Sequence, residues 1–204
     1  LLLDLAIRAV ASNGGWPSSR SAIYDLACHQ LAEEQSEAHR EVRTPGPGDI
    51  DRRLDDAGFL CAILLLSGKT SLTRGTCADG DVSTFAWQDL PAAVELHDAK
   101  AALASKIFVT VAGASTPRHR SIAEYLAAKS IARRLRAGLP LGRVLALMQG
   151  GDGITVEPLR GLHGWLTVHH VADRAQLIRL DPLAAILNGD ASTFTGTDKR
   201  ALLE

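Results

Sequence analysis

Apolar residues recur at helical spacing along most of this chain, in short runs that Gly, Pro and Asp cut apart. Ile23, Ala27 and Leu31 stand at i, i+4 and i+8, with Tyr24 and Cys28 beside them. Ile50, Leu54, Ala57, Cys61 and Leu64 or Leu65 repeat the pattern, and Ile122, Tyr125 and Leu126 begin it again. Such stripes bury one face of a helix and leave the other in water. Aromatic residues make up only 4% of the chain, so the core is built from Leu, Ile, Val and Ala, and Ala and Leu are strong helix formers. The expected fold is mainly α with one small β element. Strand content should stay below about a tenth, against roughly 20–25% in an average domain. An open sheet of four or more strands would contradict this expectation.

Local signals place the elements. An apolar helix is expected over 1–12, ended by Asn13-Gly14-Gly15. Pro17-Ser18-Ser19 offers caps for a helix over about 19–43, whose far half is polar. The sequence TPGPG at 44–48 breaks the chain, Asp49 is placed to cap a helix over about 50–67, and Gly68 sits where a C-terminal Gly belongs. Residues 69–90 read as irregular, and a helix is expected from Pro91 to about Ala104. The β-branched alternation of Ile107, Val109 and Val111 predicts a strand over 106–111. Ala112 to Pro117 reads as a turn, with Pro117 weighing against a second strand there. A helix over about 121–137 follows. From Gly138 onward the chain is a series of short helical units, as in an α-solenoid, without a strict repeat period.

Composition bounds function. The formal net charge of −1 gives no global drive toward nucleic acid or a membrane surface. The longest apolar run, Phe59–Leu66, is far short of a membrane span. Cys28, Cys61 and Cys77 are odd in number and widely spaced, which fits a reducing cytoplasm better than a disulfide framework or a zinc site. Several short motifs read as structural decoys. Ser67-Gly68-Lys69-Thr70-Ser71 resembles the end of a phosphate-binding loop, yet the required first Gly falls on Ile63, inside an apolar helix. The GGDGI stretch at 150–154 reads as a loop. His169-His170 reads as a polar helix end, since adjacent residues leave a helix on different faces. Glu33, Glu34 and Glu37 read as a solvated face. Taken alone, Ser121 near a helix start with Glu124 three residues on reads as a capping box.

One segment points further. His119-Arg-Ser-Ile-Ala-Glu-Tyr-Leu-Ala-Ala-Lys129 resembles the His-(Arg/Lys)-Ser-apolar-x-Glu-Tyr/Phe-apolar-Ala-Ala signature of NACHT-family proteins, within the STAND class of signalling NTPases. The stretch from Pro17 to Arg40 is similar to the Pro…Ser/Thr-Arg-x-x-apolar-Tyr helix that follows the ATPase core in that family. Leu1–Val10 resembles the helix just after the core. The resemblance covers roughly residues 1–137. It implies a helical region at 1–48, a winged-helix-like lid with a small β-hairpin at 49–137, and a solenoid-like helical segment at 138–204.

The implied role is regulatory, in a cytoplasmic bacterial protein, with defence among the implied settings. In the family, ADP lies between the ATPase core and the lid, and a lid His reaches the β-phosphate in the closed state. Carried over, that residue is His119. Exchange for ATP swings the lid out, and the protein oligomerises. The nucleotide, its magnesium and the catalytic residues belong to an upstream NTPase core, so no catalytic residue, metal ligand or resident cofactor is expected within this chain. Its partners would be that core, further copies of the parent, and proteins bound by the helical segment. Two rival readings stand beside this one. The cations Arg118, Arg120, Lys129, Arg133, Arg134 and Arg136 are compatible with a winged-helix nucleic-acid module, although the helix at 121–137 lacks an array of base-reading side chains. A plain helical scaffold needs only the tail.

Overall fold

The computed structural model describes residues 17–34, 47–73, 75–77, 81–86, 89–90 and 99–204. The expected helix at 1–12, the polar continuation of the second helix beyond 34 and the start of the helix at 91 lie outside these residues. The first described helix, α1, runs Arg20–Glu33, and Ser19 caps it by accepting the Ala22 N–H at 3.1 Å. The backbone N–H of Lys106 donates to Leu31 O and Glu34 O at its far end, both at 3.0 Å. Helix α2 spans Pro47–Ser67, and so begins three residues before the expected start at 50. Proline suits the first turn of a helix, where its missing N–H has no intrahelical partner. Asp49 therefore lies in the first turn and not at the cap.

Helix α2 closes as the sequence suggests. Gly68 has φ 69°, the Lys69 N–H donates to Leu64 O at 3.0 Å, and the Gly68 N–H donates to Leu65 O at 3.3 Å. This is the paired-bond arrangement that a left-handed Gly makes at a helix end. Lys69 then donates its ammonium to Val82 O at 3.2 Å and Thr84 O at 3.0 Å. The Gly-Lys-Thr sequence thus ends a helix and ties down the next segment.

The sheet corrects the expectation of a single hairpin. Four strands, β1 (Ser71–Thr73), β2 (Thr84–Ala86), β3 (Phe108–Val111) and β4 (Ala114–Pro117), form one sheet in the order β2-β1-β4-β3. The four strands meet the condition named as contradicting the expected β content, while among the described residues strand stays under a tenth and the fold is mainly helical. Strands β1 and β2 arise from the stretch read as irregular. Each has three residues, β1 buries Leu72, and the hydroxyls of Ser71 and Thr84 bond across the parallel pair at 2.9 Å. The turn reading of 112–117 is also corrected. Ala112 and Gly113 alone make the turn, both with positive φ, as a two-residue hairpin loop requires. Pro117 is tolerated because β1 pairs only with Ala114 and Ser115, so its missing N–H falls beyond the stretch where β4 has two neighbours.

Short helix α3 (Ala99–Ala104) leads into β3, and α4 (Arg120–Arg136) follows β4. The tail comprises α5 (Leu141–Met148), α6 (Arg160–His169), α7 (Arg174–Leu180), α8 (Pro182–Leu187) and α9 (Gly196–Ala201). Helix α4 is central and packs on α2, α6 and α1. One buried cluster joins Tyr24, Leu60, Phe108, Leu126 and Trp165, so α1, the middle segment and the tail share a core.

Helices α2 and α4 touch most closely at Gly58. A Cβ added there would lie 2.5 Å from Leu126 O. The clash is with backbone, which cannot swing aside. Gly58→Ala should therefore lower stability by about 1–3 kcal/mol, the usual cost of overpacking, despite the better helix propensity of Ala. A urea denaturation series measures this; a neutral or stabilising result would show that the two helices are not so closely apposed.

Candidate functional site around His119

His119 owes its place to the hairpin and the helix on either side of it. Strand β4 ends at Pro117. The Arg118 N–H then donates to Ile107 O at 2.8 Å, and the Arg118 side chain donates through Nε to Lys106 O at 3.1 Å. These bonds fasten the chain to the start of the hairpin. His119 follows in extended conformation as the residue capping α4, its carbonyl accepting the Ala123 N–H at 3.0 Å. Its imidazole makes no capping bond and is half-buried.

The capping box read from Ser121 and Glu124 is not formed. Helix α4 begins at Arg120, which puts Ser121 inside the first turn and Glu124 beyond reach of the capping residue's amide. Glu124 instead accepts from Arg120 Nε at 2.9 Å, and the same guanidinium donates to Pro158 O. Side chains thus leave the first-turn N–H groups of α4 uncapped, and no acidic residue stands in that turn. Such an end carries a partial positive charge and is suited to anions.

Electrostatics sharpen the picture. Burial, then the neighbouring Arg118, holds His119 below the usual imidazole range. At neutral pH the ring is therefore mostly neutral, with one N–H to donate and one nitrogen to accept. Burial raises the Glu124 carboxyl above its usual range, and Arg120 partly offsets this. An open cleft of about 520 Å³ lies beside Arg120 and Glu124, on the side of Glu157, Arg160 and Asn188, and His119 does not line it.

The remaining sequence candidates are placed as follows. Lys129 pairs with Asp25; Arg133 and Arg134 approach Asp55 at 3.0 Å and 4.0 Å; Arg136 donates to His169 O at 3.1 Å. Each cation of the basic cluster thus has a carboxylate or carbonyl partner. His169 packs edge-on to Tyr125 at 4.8 Å between centroids, whereas His170 bonds Asp173 at 2.8 Å. The two rings part as adjacent helical residues should. Glu34 pairs with Lys106 at 2.5 Å, and Glu37 lies outside the described residues. The GGDGI stretch is a tight turn, with Gly153 N–H donating to Gly150 O at 3.0 Å. Among the described residues, no group of three or more His, Cys, Asp or Glu side chains is placed to hold a metal ion, and no helix is long and apolar enough to cross a membrane.

Sequence reasoning missed two features. Arg120 reaches across to Pro158, which no local pattern signals. A ring cluster of Tyr24, Tyr125, Trp165 and His169 joins three helices, with Tyr24 to Trp165 at 4.6 Å and Tyr125 to Trp165 at 4.9 Å. The helical spacing already turns Tyr24 and Tyr125 inward, but nothing local signals that Trp165 and His169 join them. Comparison with known proteins returns no matching family, no matching characterised protein and no matching solved structure.

Proposed function

We propose that this chain is the regulatory lid and helical arm of a NACHT-type signalling ATPase, with His119 the residue that senses the phosphates of bound ADP. The observation that carries the reading is the setting of His119. It directly follows a hairpin, it caps α4 without engaging its own side chain, and it is flanked by Arg118 and Arg120. A winged-helix lid at 49–137 is consistent with the order helix, two short strands, helix, hairpin, in which β4 returns to pair with β1. The helices after 138 would then form the arm, in solenoid fashion, and the region at 1–48 would connect to the NTPase core.

In this reading, the neutral His119 ring donates one hydrogen bond to a phosphate oxygen, and the open N–H groups of α4 add their dipole. The upstream core supplies the phosphate cradle, the magnesium ligands and the attacking water that phosphoryl transfer needs. Loss of the His119 contact on exchange for ATP biases a two-state hinge. Opening and oligomerisation would follow. The carboxylate partners of Lys129, Arg133 and Arg134 count against a nucleic-acid module, whose affinity would depend on cations free to neutralise phosphates.

Hydrogen exchange tests the proposal on a protein that contains both the core and this chain. ADP should protect the amides of residues 118–124, and ATP should protect them less. Equal protection by both nucleotides, or by neither, would count against it. Filter binding at low salt addresses the rival: salt-sensitive retention of nucleic acid, lost when Arg133 and Arg136 are replaced, would favour that reading instead.

A further inference from the structure

Two arginines flank His119, and the fold uses them differently. Arg120 is bonded on two sides: its Nε donates to Glu124 at 2.9 Å and its Nη2 to Pro158 O. The Glu124 carboxylate matches its charge. The Arg118 side chain makes one contact, from Nε to Lys106 O at 3.1 Å. Among the described residues, neither terminal nitrogen of the Arg118 guanidinium has a partner and no carboxylate pairs with it.

The anchor of that one contact is itself held. The Lys106 N–H donates to Leu31 O and Glu34 O at the end of α1, both at 3.0 Å, and the Lys106 ammonium pairs with Glu34 at 2.5 Å. The Arg118 N–H donates to Ile107 O at 2.8 Å, so main chain and side chain are fastened at the same place. A guanidinium is planar, and a bond at Nε restricts where its two Nη groups project. Burial and then the Arg118 charge hold the His119 ring below its usual range, which places that charge close to the imidazole. A neutral ring can bond a phosphate but balances none of its charge. An arginine fork does both, bonding two phosphate oxygens at once.

We infer that Arg118 is a second contact for the phosphates of ADP, supplying positive charge beside the His119 ring. The inference rests on the proposed reading of His119. Arg118 lies just before the signature that begins at His119. Lys106 O holds the guanidinium through Nε, and the two Nη groups donate to phosphate oxygens. Both contacts belong to the closed state and are lost together when the lid swings out.

Arg118→Gln separates this role from a structural one, in a protein that joins the NTPase core to this chain. The Gln amide nitrogen falls at the position of Nε and can still donate to Lys106 O, while the charge and the fork are gone. Titration calorimetry should show ADP bound about 10- to 150-fold more weakly, with ATP affinity nearly unchanged and a melting temperature close to the parent's. Arg118→Lys keeps the charge without the fork and should recover part of the ADP affinity. The parent's ratio of ADP to ATP affinity in Arg118→Gln would overturn the inference, and so would equal weakening of both nucleotides. His119→Ala, measured alongside, tells the two failures apart. A shifted ratio there with an unshifted one in Arg118→Gln removes Arg118 alone, whereas an unshifted ratio in both removes the reading of His119 as well.

Discussion

Trp165→Ala should cost about 3–5 kcal/mol of stability, the usual range for removing a large aromatic side chain from a core. Trp165 is 1% exposed and sits where three helices meet. Its ring lies 4.6 Å from Tyr24 on α1, 4.9 Å from Tyr125 on α4 and 6.4 Å from His169 on its own helix. Arg20 covers it from outside. Truncation therefore removes dispersion contacts to every neighbour at once. A Cβ at Gly164 would lie 2.5 Å from Ala184 O, and this backbone apposition limits how far the site can collapse. At about 2–4 °C per kcal/mol for a domain of this size, the melting temperature should fall by roughly 10 °C. Trp165→Phe should cost less than half as much. Thermal and urea unfolding of the three proteins measures this, and a loss under about 1 kcal/mol for Trp165→Ala would contradict the shared core.

Acid should destabilise the fold well above the range where carboxylates titrate. Burial drives the His169 imidazole down to about 4 from its ordinary 6.5, with Lys129 and Arg136 adding to the effect and Asp25 opposing it. Its Nε2 is buried without a hydrogen-bond partner. His163 is lowered too, chiefly by burial. Its Nε2–H donates to Leu177 O at 2.8 Å, so Nδ1 accepts from the Thr155 hydroxyl at 2.9 Å and the ring is neutral. Above pH 6.5 both histidines are neutral folded or unfolded, and neither affects stability. Below it the unfolded chain binds protons that the folded chain refuses, so stability falls as pH falls. For His169 the window runs from 6.5 down to about 4, and the loss reaches about 3 kcal/mol at its lower end. His169→Phe keeps a ring in the cluster and removes the titration. Its stability should fall less between pH 7 and pH 4 than the parent's, by about that amount. Parallel curves for the two proteins would contradict the assignment.

Much of the helical frame was legible because helix signals are local and repeated. Ser19 caps α1, Gly68 ends α2, and Ile122, Tyr125 and Leu126 face inward as their spacing requires. The sheet was less legible for a physical reason. A three-residue strand such as Ser71–Thr73 or Thr84–Ala86 shows one inward and two outward positions, or the reverse, too few for a period of two to emerge. Its pairing depends on partners far along the chain. Pro117 misled for a related reason, since a proline is costly in a central strand and tolerated at its end, and only the register tells the two apart. At the site, the position of His119 between hairpin and helix was readable, whereas the Arg120 bridge to Pro158 spans a long sequence separation and left no local trace.

As proposed, His119 reads the phosphates of ADP. A charge-assisted hydrogen bond is worth roughly 1.5–3 kcal/mol, or about 10- to 150-fold in affinity. In a protein that joins the NTPase core to this chain, His119→Ala should weaken ADP binding by about that factor and leave ATP binding nearly unchanged. If His119 only packs against the hairpin, the substitution would lower the melting temperature and leave the ratio of the two affinities alone. Titration calorimetry of parent and variant with ADP and with ATP separates these outcomes. A ratio shifted at least tenfold toward ATP is the predicted result, and an unchanged ratio would contradict the account.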